Sequence, residues 1–269
     1  MEEVLHISKE GDKHILLMHA NAYTPGCYRS MCKDLSKDYK ITAPYQRPTW
    51  QGSDPSRFSA WSTLGDDIIS FIRKNKYDPV IGIGHSMGSI ALWYAAEKEP
   101  SLFSKLILIE PVILPKRIVT MNKVTPFWLQ KRMVPLIKKA SKRSNRWSSE
   151  KELRTYLKSK KVFQRFDQEV LEDFIKDSFV YSDYISLRYP RDWEAKIYGT
   201  APDLWEMIED IPCPMTIIKA EHTDVLFDQT WQKLVDKMKE ATLMELKGVG
   251  HLAPFEKPGL VSDTIKNYL

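Results

Sequence analysis

The sequence is poor in cysteine and has no long apolar run. Its three cysteines, Cys27, Cys32 and Cys213, form no CxxC pair and are odd in number. We therefore expect no disulfide framework and a reducing, cytoplasmic location. No apolar stretch approaches the ~18–20 residues that a membrane helix needs, and the first residues lack the basic and apolar regions of a signal peptide. These absences predict no integral membrane contact.

A large excess of one charge is also missing. Lys and Arg number 40 against 35 Asp and Glu, a net charge of +5 over 269 residues. This excess is too small to indicate a nucleic-acid partner, and a chain of this length can bury a sizeable core without disulfides or metal. With 43% apolar residues and no internal repeat, the composition predicts a globular protein, either one large domain or one domain with an insertion.

Short runs of aliphatic and β-branched residues predict buried strands, and helical patterns lie between several of them. The predicted strands are His14–Ala20, Tyr39–Ala43, Pro79–His85, Lys105–Ile109, Met215–Ala220 and Thr242–Lys247. The predicted helices between and after them are Trp61–Asn75, Ser89–Glu99, Thr230–Glu240 and Gly259–Leu269. Because the runs are apolar throughout and alternate with helices, they predict an α/β fold with a mostly parallel central sheet flanked by helices.

Residues 113–211 interrupt this alternation, since they contain no clear strand pattern. Helical periodicity is present in Thr125–Ser141, Ser149–Val162, Asp167–Ser178 and Pro202–Ile208. A structureless loop of that length is implausible in a compact domain. We therefore interpret 113–211 as a helical insertion over one end of the sheet.

The stretch Gly84-His85-Ser86-Met87-Gly88 has the GxSxG pattern between a predicted strand and a predicted helix. That context is typical of a nucleophile elbow, in which a sharp strand-to-helix turn exposes the serine hydroxyl. The flanking glycines avoid Cβ clashes in such a turn, and the helix N-terminus favours negative charge. Ser86 is therefore the candidate catalytic nucleophile.

A serine hydroxyl needs a base, and the base needs a carboxylate that orients it. Asp224 follows the predicted strand Met215–Ala220, and His251 follows the last predicted strand, in the order Ser, acid, His. We predict Asp224 as the acid and His251 as the base. Glu110, at the end of the strand after the Ser86 helix, is the alternative acid.

An oxyanion formed by attack of Ser86 needs hydrogen-bond donors. The backbone N–H of Met87 directly follows the nucleophile, and the loop after the first predicted strand supplies the second donor. We predict Asn21 for this role, with Ala22 as the alternative if the loop register differs by one. His19 is expected to have a structural role in the loop.

The chain resembles serine hydrolases of the α/β-hydrolase fold, in their esterase, lipase and lactonase branch with a helical cap. The resemblance covers nearly the whole length and rests on HANAYTPGCY, GHSMG, LILIEP, EHTDVL and GVGHLAPFEKP. It implies a core of 1–112 and 212–269, with a cap of 113–211. It also implies hydrolysis of a small-molecule carboxylic ester without a metal or organic cofactor.

The basic residues are unevenly distributed. From Ile113 to Ser149 there are ten bases and no acid: Lys116, Arg117, Lys123, Lys131, Arg132, Lys138, Lys139, Lys142, Arg143 and Arg146. A solvated outer helix face explains them, as does attraction of anionic substrates or of an acidic membrane surface. We expect the interleaved apolar residues of Thr125–Ser141 to pack on the core.

The leading functional hypothesis is an esterase or lipase-like enzyme that hydrolyses esters of small to medium acyl chain through an acyl-enzyme on Ser86. A lactonase or a hydrolase of carbon–carbon bonds in diketones would use the same side chains. A ligand receptor built on a hydrolase scaffold is the alternative from another class. The sequence leaves the oligomeric state open.

Overall fold

Ten strands in two sheets form the framework of the computed structural model, which describes residues 3–269. In chain order they are β1 (Val4–Ser8), β2 (Lys13–Met18), β3 (Tyr39–Pro44), β4 (Val80–His85), β5 (Phe103–Ile109), β6 (Arg146–Trp147), β7 (Phe179–Tyr181), β8 (Ile185–Leu187), β9 (Met215–His222) and β10 (Thr242–Gly250). The larger sheet has the order β1-β3-β2-β4-β5-β9-β10, with β1 antiparallel to β3 and the other pairs parallel. The mostly parallel sheet predicted from the sequence is confirmed, and β1 is an edge strand that the apolar patterns did not predict.

The helices fill the connections between the strands. They are α1 (Arg29–Cys32), α2 (Ser62–Asn75), α3 (Met87–Lys98), α4 (Lys116–Val124), α5 (Phe127–Met133), α6 (Pro135–Lys142), α7 (Glu150–Lys158), α8 (Gln168–Asp177), α9 (Arg191–Gly199), α10 (Asp228–Lys237), α11 (Ala253–Glu256) and α12 (Pro258–Lys266). No helix among residues 3–269 is both long enough and apolar enough to cross a membrane.

Two apolar clusters cover the two faces of the large sheet. On β2, Leu16 and Met18 belong to the cluster with α2 and α3, whereas Ile15 and Leu17 belong to the cluster with α1 and α12. Successive residues of a strand point to opposite faces, so both faces of β2 are buried. This double burial explains why the strand sequences are apolar throughout rather than alternating.

Residues 113–211, which we call the inserted segment, add no strand to the large sheet. They contain α4 to α9, and they also form a small antiparallel sheet of order β6-β8-β7. The sequence did not predict this small sheet, because strands of two or three residues are too short to show a periodic pattern.

The helix predictions within the inserted segment are correct only in part. The predicted helix Thr125–Ser141 is divided into α5 and α6 at Pro135, which begins α6 because proline is tolerated in the first turn of a helix. Instead of the predicted helix Pro202–Ile208, residues 202–204 have no regular structure and residues 205–208 form turns. Helices α4 and α9 were not predicted.

Candidate active site

Ser86 lies in a sharp turn between β4 and α3. Its backbone has φ 55° and ψ −114°, a region that residues other than glycine rarely adopt. A Cβ added to Gly84 would lie 2.5 Å from the Cα of Ser89, and one added to Gly88 would lie 2.1 Å from the carbonyl oxygen of Met18. Only glycine fits at these two positions, so the GxSxG spacing is a steric requirement of the turn.

The Ser86 hydroxyl is hydrogen-bonded to a histidine that is itself hydrogen-bonded to a buried carboxylate. The distance from Ser86 Oγ to His251 Nε2 is 3.0 Å, and that from His251 Nδ1 to Glu110 Oε2 is also 3.0 Å. With Glu110 ionised, Nδ1–H donates to the carboxylate and Nε2 can accept the serine proton. This geometry can activate the hydroxyl as a nucleophile.

Glu110 is completely buried and its position is set by several hydrogen bonds. Its backbone has φ 50° and its N–H donates to the carbonyl oxygen of Ile218 on β9. The N–H of Ala220 donates to Oε1 over 2.6 Å, and the hydroxyl of Thr223 donates to Oε2. A buried carboxylate needs hydrogen-bond donors for its oxygens, and here these donors also direct it at His251.

The structure differs from the sequence prediction for the acid. Asp224 is exposed, and its carboxylate forms no hydrogen bond or ion pair within residues 3–269. The reason is the length of β9, which continues to His222, so that the following bend turns Asp224 towards solvent. Glu110, the alternative acid, is hydrogen-bonded to His251 in its place.

Sheet order explains why Glu110 is close enough. Strand β5 lies between β4 and β9, so its carboxyl end is next to the turn that holds Ser86. The N–H of Ser86 donates to the carbonyl oxygen of Ile109, the residue before Glu110, over 2.9 Å. Ser86 and Glu110 are therefore held by adjacent backbone segments of one sheet.

Thr223 also contacts the Glu110 carboxylate, a contact that the sequence does not predict. Its hydroxyl donates to Glu110 and accepts from the N–H groups of Val225 and Leu226, each over 3.1 Å. A threonine that begins a tight bend after a strand is the local signal for such a hydroxyl turn. That signal does not reveal the long-range partner.

A second buried network connects the loop after β2 to the backbone of His251. The N–H of Ala20 donates to Tyr28 Oη over 2.9 Å, and Tyr28 Oη is 2.8 Å from His85 Nδ1. His85 Nε2 is 2.9 Å from the carbonyl oxygen of His251, so it must be the protonated nitrogen and Nδ1 must accept from Tyr28. Burial lowers the pKa of His85 to about 3, which keeps the imidazole neutral as this network requires.

The predicted oxyanion loop is in contact with the inserted segment. The side-chain amide of Asn21 donates to the carbonyl oxygen of Glu194 over 3.2 Å, and its Oδ1 accepts from Tyr189 Oη over 2.7 Å. Tyr189 Oη also lies 4.0 Å from the sulfur of Met87. Asn21 and Met87 are therefore both next to Tyr189, and the neighbouring Ala22 has φ 69°. Their use as backbone donors to an oxyanion stays a prediction.

His19 has the structural role expected for it. The N–H of Gln46 donates to its Nε2 over 3.1 Å, so Nδ1–H is the donor to the carbonyl oxygen of Ala20, 3.0 Å away. Burial lowers the pKa of His19 to about 4.

Burial raises the pKa of the Cys27 thiol to about 11 and that of Cys32 to about 12, which makes both poor nucleophiles. Among residues 3–269, no group of three or more His, Cys, Asp or Glu side chains could hold a metal ion.

Comparison with known proteins agrees with this fold. Residues 15–264 match the model of the alpha/beta hydrolase family, and the chain belongs to that family. A Haemophilus influenzae protein, whose name assigns it provisionally to esterases and lipases, is 25% identical over 209 residues, covering 78% of this chain and 67% of its own. The predicted α/β-hydrolase fold and the resemblance drawn from the motifs are thereby confirmed.

Two solved structures give the extent of the structural likeness. E-2-(acetamidomethylene)succinate hydrolase superposes with a TM-score of 0.83 at 17% identity, covering 98% of this chain and 93% of that one. A peroxisomal α/β-hydrolase from Saccharomyces cerevisiae gives a TM-score of 0.78 at 18% identity, covering 97% and 78%. At these identities the likeness shows the fold.

Proposed function

We propose that this hydrolase cleaves carboxylic esters of small to medium acyl chain through an acyl-enzyme on Ser86. The observation that carries the proposal is the continuous hydrogen-bond path from Ser86 Oγ through His251 to the buried Glu110, with 3.0 Å at each step. The path begins at a strained serine beside the N-terminus of α3. The name of the Haemophilus influenzae relative also favours ester hydrolysis.

In the proposed acylation step, Ser86 Oγ attacks the ester carbonyl carbon and His251 Nε2 takes the hydroxyl proton. The carbonyl oxygen becomes an oxyanion that accepts hydrogen bonds from the backbone N–H groups of Asn21 and Met87. The tetrahedral intermediate then collapses, the bond to the alkoxy group breaks, and His251 returns the proton to the departing alcohol. Glu110 accepts the hydrogen bond from His251 Nδ1–H throughout and stabilises the imidazolium.

Deacylation repeats these steps with water as the nucleophile. His251 takes a proton from the water, the hydroxide adds to the acyl carbon, and collapse releases the carboxylic acid while Ser86 regains its proton. Neither step requires a cofactor.

We also propose that 1–112 and 212–269 form the catalytic core and that the inserted segment is a cap over it. The support is that Ser86 is only 6% exposed and that Tyr189 and Glu194 of the inserted segment hold the side chain of Asn21. A cover of this kind excludes water from the oxyanion site, which strengthens its hydrogen bonds.

The test is turnover of p-nitrophenyl esters of graded chain length, with Ser86→Ala as the control. We expect turnover that Ser86→Ala lowers by at least about a thousandfold, and labelling by a fluorophosphonate that Ser86→Ala abolishes. Labelling that persists in Ser86→Ala would contradict the assignment of the nucleophile.

The pattern of turnover separates the other functions. Activity on lactones or diketones with none on open-chain esters would replace the ester proposal but retain Ser86. A single slow burst without further turnover would favour a receptor whose occupancy is reported by acylation. In both cases the labelling result stands as an independent test of Ser86.

A further inference from the structure

The inserted segment exposes an unusual concentration of large apolar side chains. Among the described residues, every large apolar side chain that is more than half exposed lies between residues 121 and 136. These are Met121, Val124, Trp128, Met133 and Leu136, with Trp128 62% exposed. These five side chains all fall within residues 121–136, and exposed large apolar side chains that cluster on a globular protein generally mark an interaction site. The expectation that the apolar residues of this region pack on the core is therefore wrong for Trp128, Met133 and Leu136.

The same helices carry uncompensated positive charge. Of the ten bases between Ile113 and Ser149, eight are exposed. Lys131 pairs with Asp192 at 4.0 Å and Arg143 with Glu194 at 2.7 Å, and no other base of this stretch has an ion pair within residues 3–269. Since the stretch contains no acid, its outer surface is positive.

Helical spacing places bases and apolar side chains on the same outward stripes. In α4, Arg117, Met121 and Val124 follow each other at intervals of four and three residues, which puts them on one face. In α5, the guanidinium of Arg132 lies 5.7 Å from the ring centroid of Trp128.

In helix α6 the exposed face is separate from the face that packs on the rest of the protein. Its inward stripe, Ile137 and Ala140, is buried against Ala195 of α9. Its outward residues Leu136 and Lys139 are three positions apart and both are exposed. We call the exposed apolar and basic side chains of α4, α5 and α6 the basic–apolar surface.

We propose that the basic–apolar surface docks on an anionic lipid bilayer. Trp, Met and Leu side chains can enter the boundary between headgroups and acyl chains while Lys and Arg remain at the phosphates. A nucleic acid would neutralise the bases and could stack on Trp128, but it would leave Met133 and Leu136 without an apolar partner. A second copy of the chain carries the same charge, so two of these surfaces would repel each other.

Binding to vesicles tests this directly. Sedimentation with vesicles of phosphatidylcholine alone, and of equal parts phosphatidylcholine and phosphatidylglycerol, measures the bound fraction. We expect at least about tenfold stronger partition to the anionic vesicles, because each base near such a surface contributes about a fivefold gain. Added salt should weaken the binding. Equal partition to both vesicles would overturn the proposal.

Two surface variants and two matched controls locate the contact. Lys138→Gln with Lys139→Gln should weaken partition by about fivefold for each base removed. Trp128→Gln with Met133→Gln should weaken partition at least as much as this lysine double variant does. The first control, Lys151→Gln with Lys158→Gln, removes the same charge from exposed positions of α7. The second control, Phe227→Gln, removes an exposed aromatic ring that lies outside the inserted segment. Equal losses in the surface variants and the controls would overturn the proposed location.

The measurement is independent of hydrolysis. The protein with Ser86→Ala should bind the anionic vesicles as the unchanged protein does, so a failed ester assay and a failed docking experiment are separate results. Circular dichroism of each variant verifies that the loss of binding is not a loss of fold.

Discussion

The site at the ends of the core strands and the basic–apolar surface of the inserted segment are opposite kinds of environment. Glu110 and His85 are completely buried, and the polar atoms of both side chains have hydrogen-bond partners. On α4, α5 and α6, apolar and charged side chains are exposed and largely unpaired. The chemistry proposed for the first region depends on atomic positions to within about an ångström. Membrane binding by the second region would depend on the sum of many weak contributions.

The largest difference is expected for the two acids considered for the site. Glu110→Gln should lower ester turnover by roughly a thousandfold to ten-thousandfold, because it removes the charge that orients and stabilises His251. The matched change Asp224→Asn removes an exposed carboxylate and should alter turnover by no more than about threefold. Steady-state kinetics of both variants decides between them, and a large loss in Asp224→Asn alone would restore the original prediction.

Acid should destabilise the core through its buried histidines. The pKa values of His85 and His19 lie at about 3 and about 4 in the fold, against about 6.5 in the unfolded chain. The unfolded state therefore binds more protons below pH 6.5, and stability that is complete above this pH is lost as the pH falls towards the folded values. Each histidine should cost on the order of 2 kcal/mol between about pH 7 and pH 5.

Urea denaturation at the two pH values measures this loss. His222→Gln, a change at an exposed histidine of β9, should retain the full pH dependence, whereas His85→Gln should reduce it. An unfolding free energy that does not change between the two pH values would show that the buried histidines are not held neutral.

Removal of one hydroxyl from the core network should have a smaller effect. Tyr28→Phe leaves the N–H of Ala20 and the Nδ1 of His85 without their partner, which should cost about 1–3 kcal/mol of unfolding free energy. Tyr184→Phe is the matched control, since that ring is part of the inserted segment and is 38% exposed. Similar losses of unfolding free energy in both variants would show that the hydrogen bonds of Tyr28 contribute no more to stability than an exposed tyrosine hydroxyl.

The smallest effect is expected on the basic–apolar surface itself. Lys138→Gln with Lys139→Gln should change the unfolding free energy by less than about 0.5 kcal/mol, because exposed side chains without partners contribute little to stability. Thermal denaturation measures this, and a marked loss would show that these lysines support the fold.

Local patterns were sufficient for the parts of the molecule that depend on local rules. The six predicted strands are present because burial on both faces demands apolar runs. The sharp turn at Ser86 was predictable because it requires Gly84 and Gly88. The small strands β6, β7 and β8 were not predicted, because a strand of two or three residues is too short to show a periodic pattern.

The sequence by itself determined the fold class, the strained serine and the concentration of bases between Ile113 and Ser149. Tertiary structure alone decided that Glu110 faces His251 while Asp224 faces solvent, because that choice depends on the order of β4, β5 and β9 and on where β9 ends. It also decided which apolar residues of α5 and α6 stay exposed. A side chain's burial depends on the elements packed around it, and those are distant in sequence.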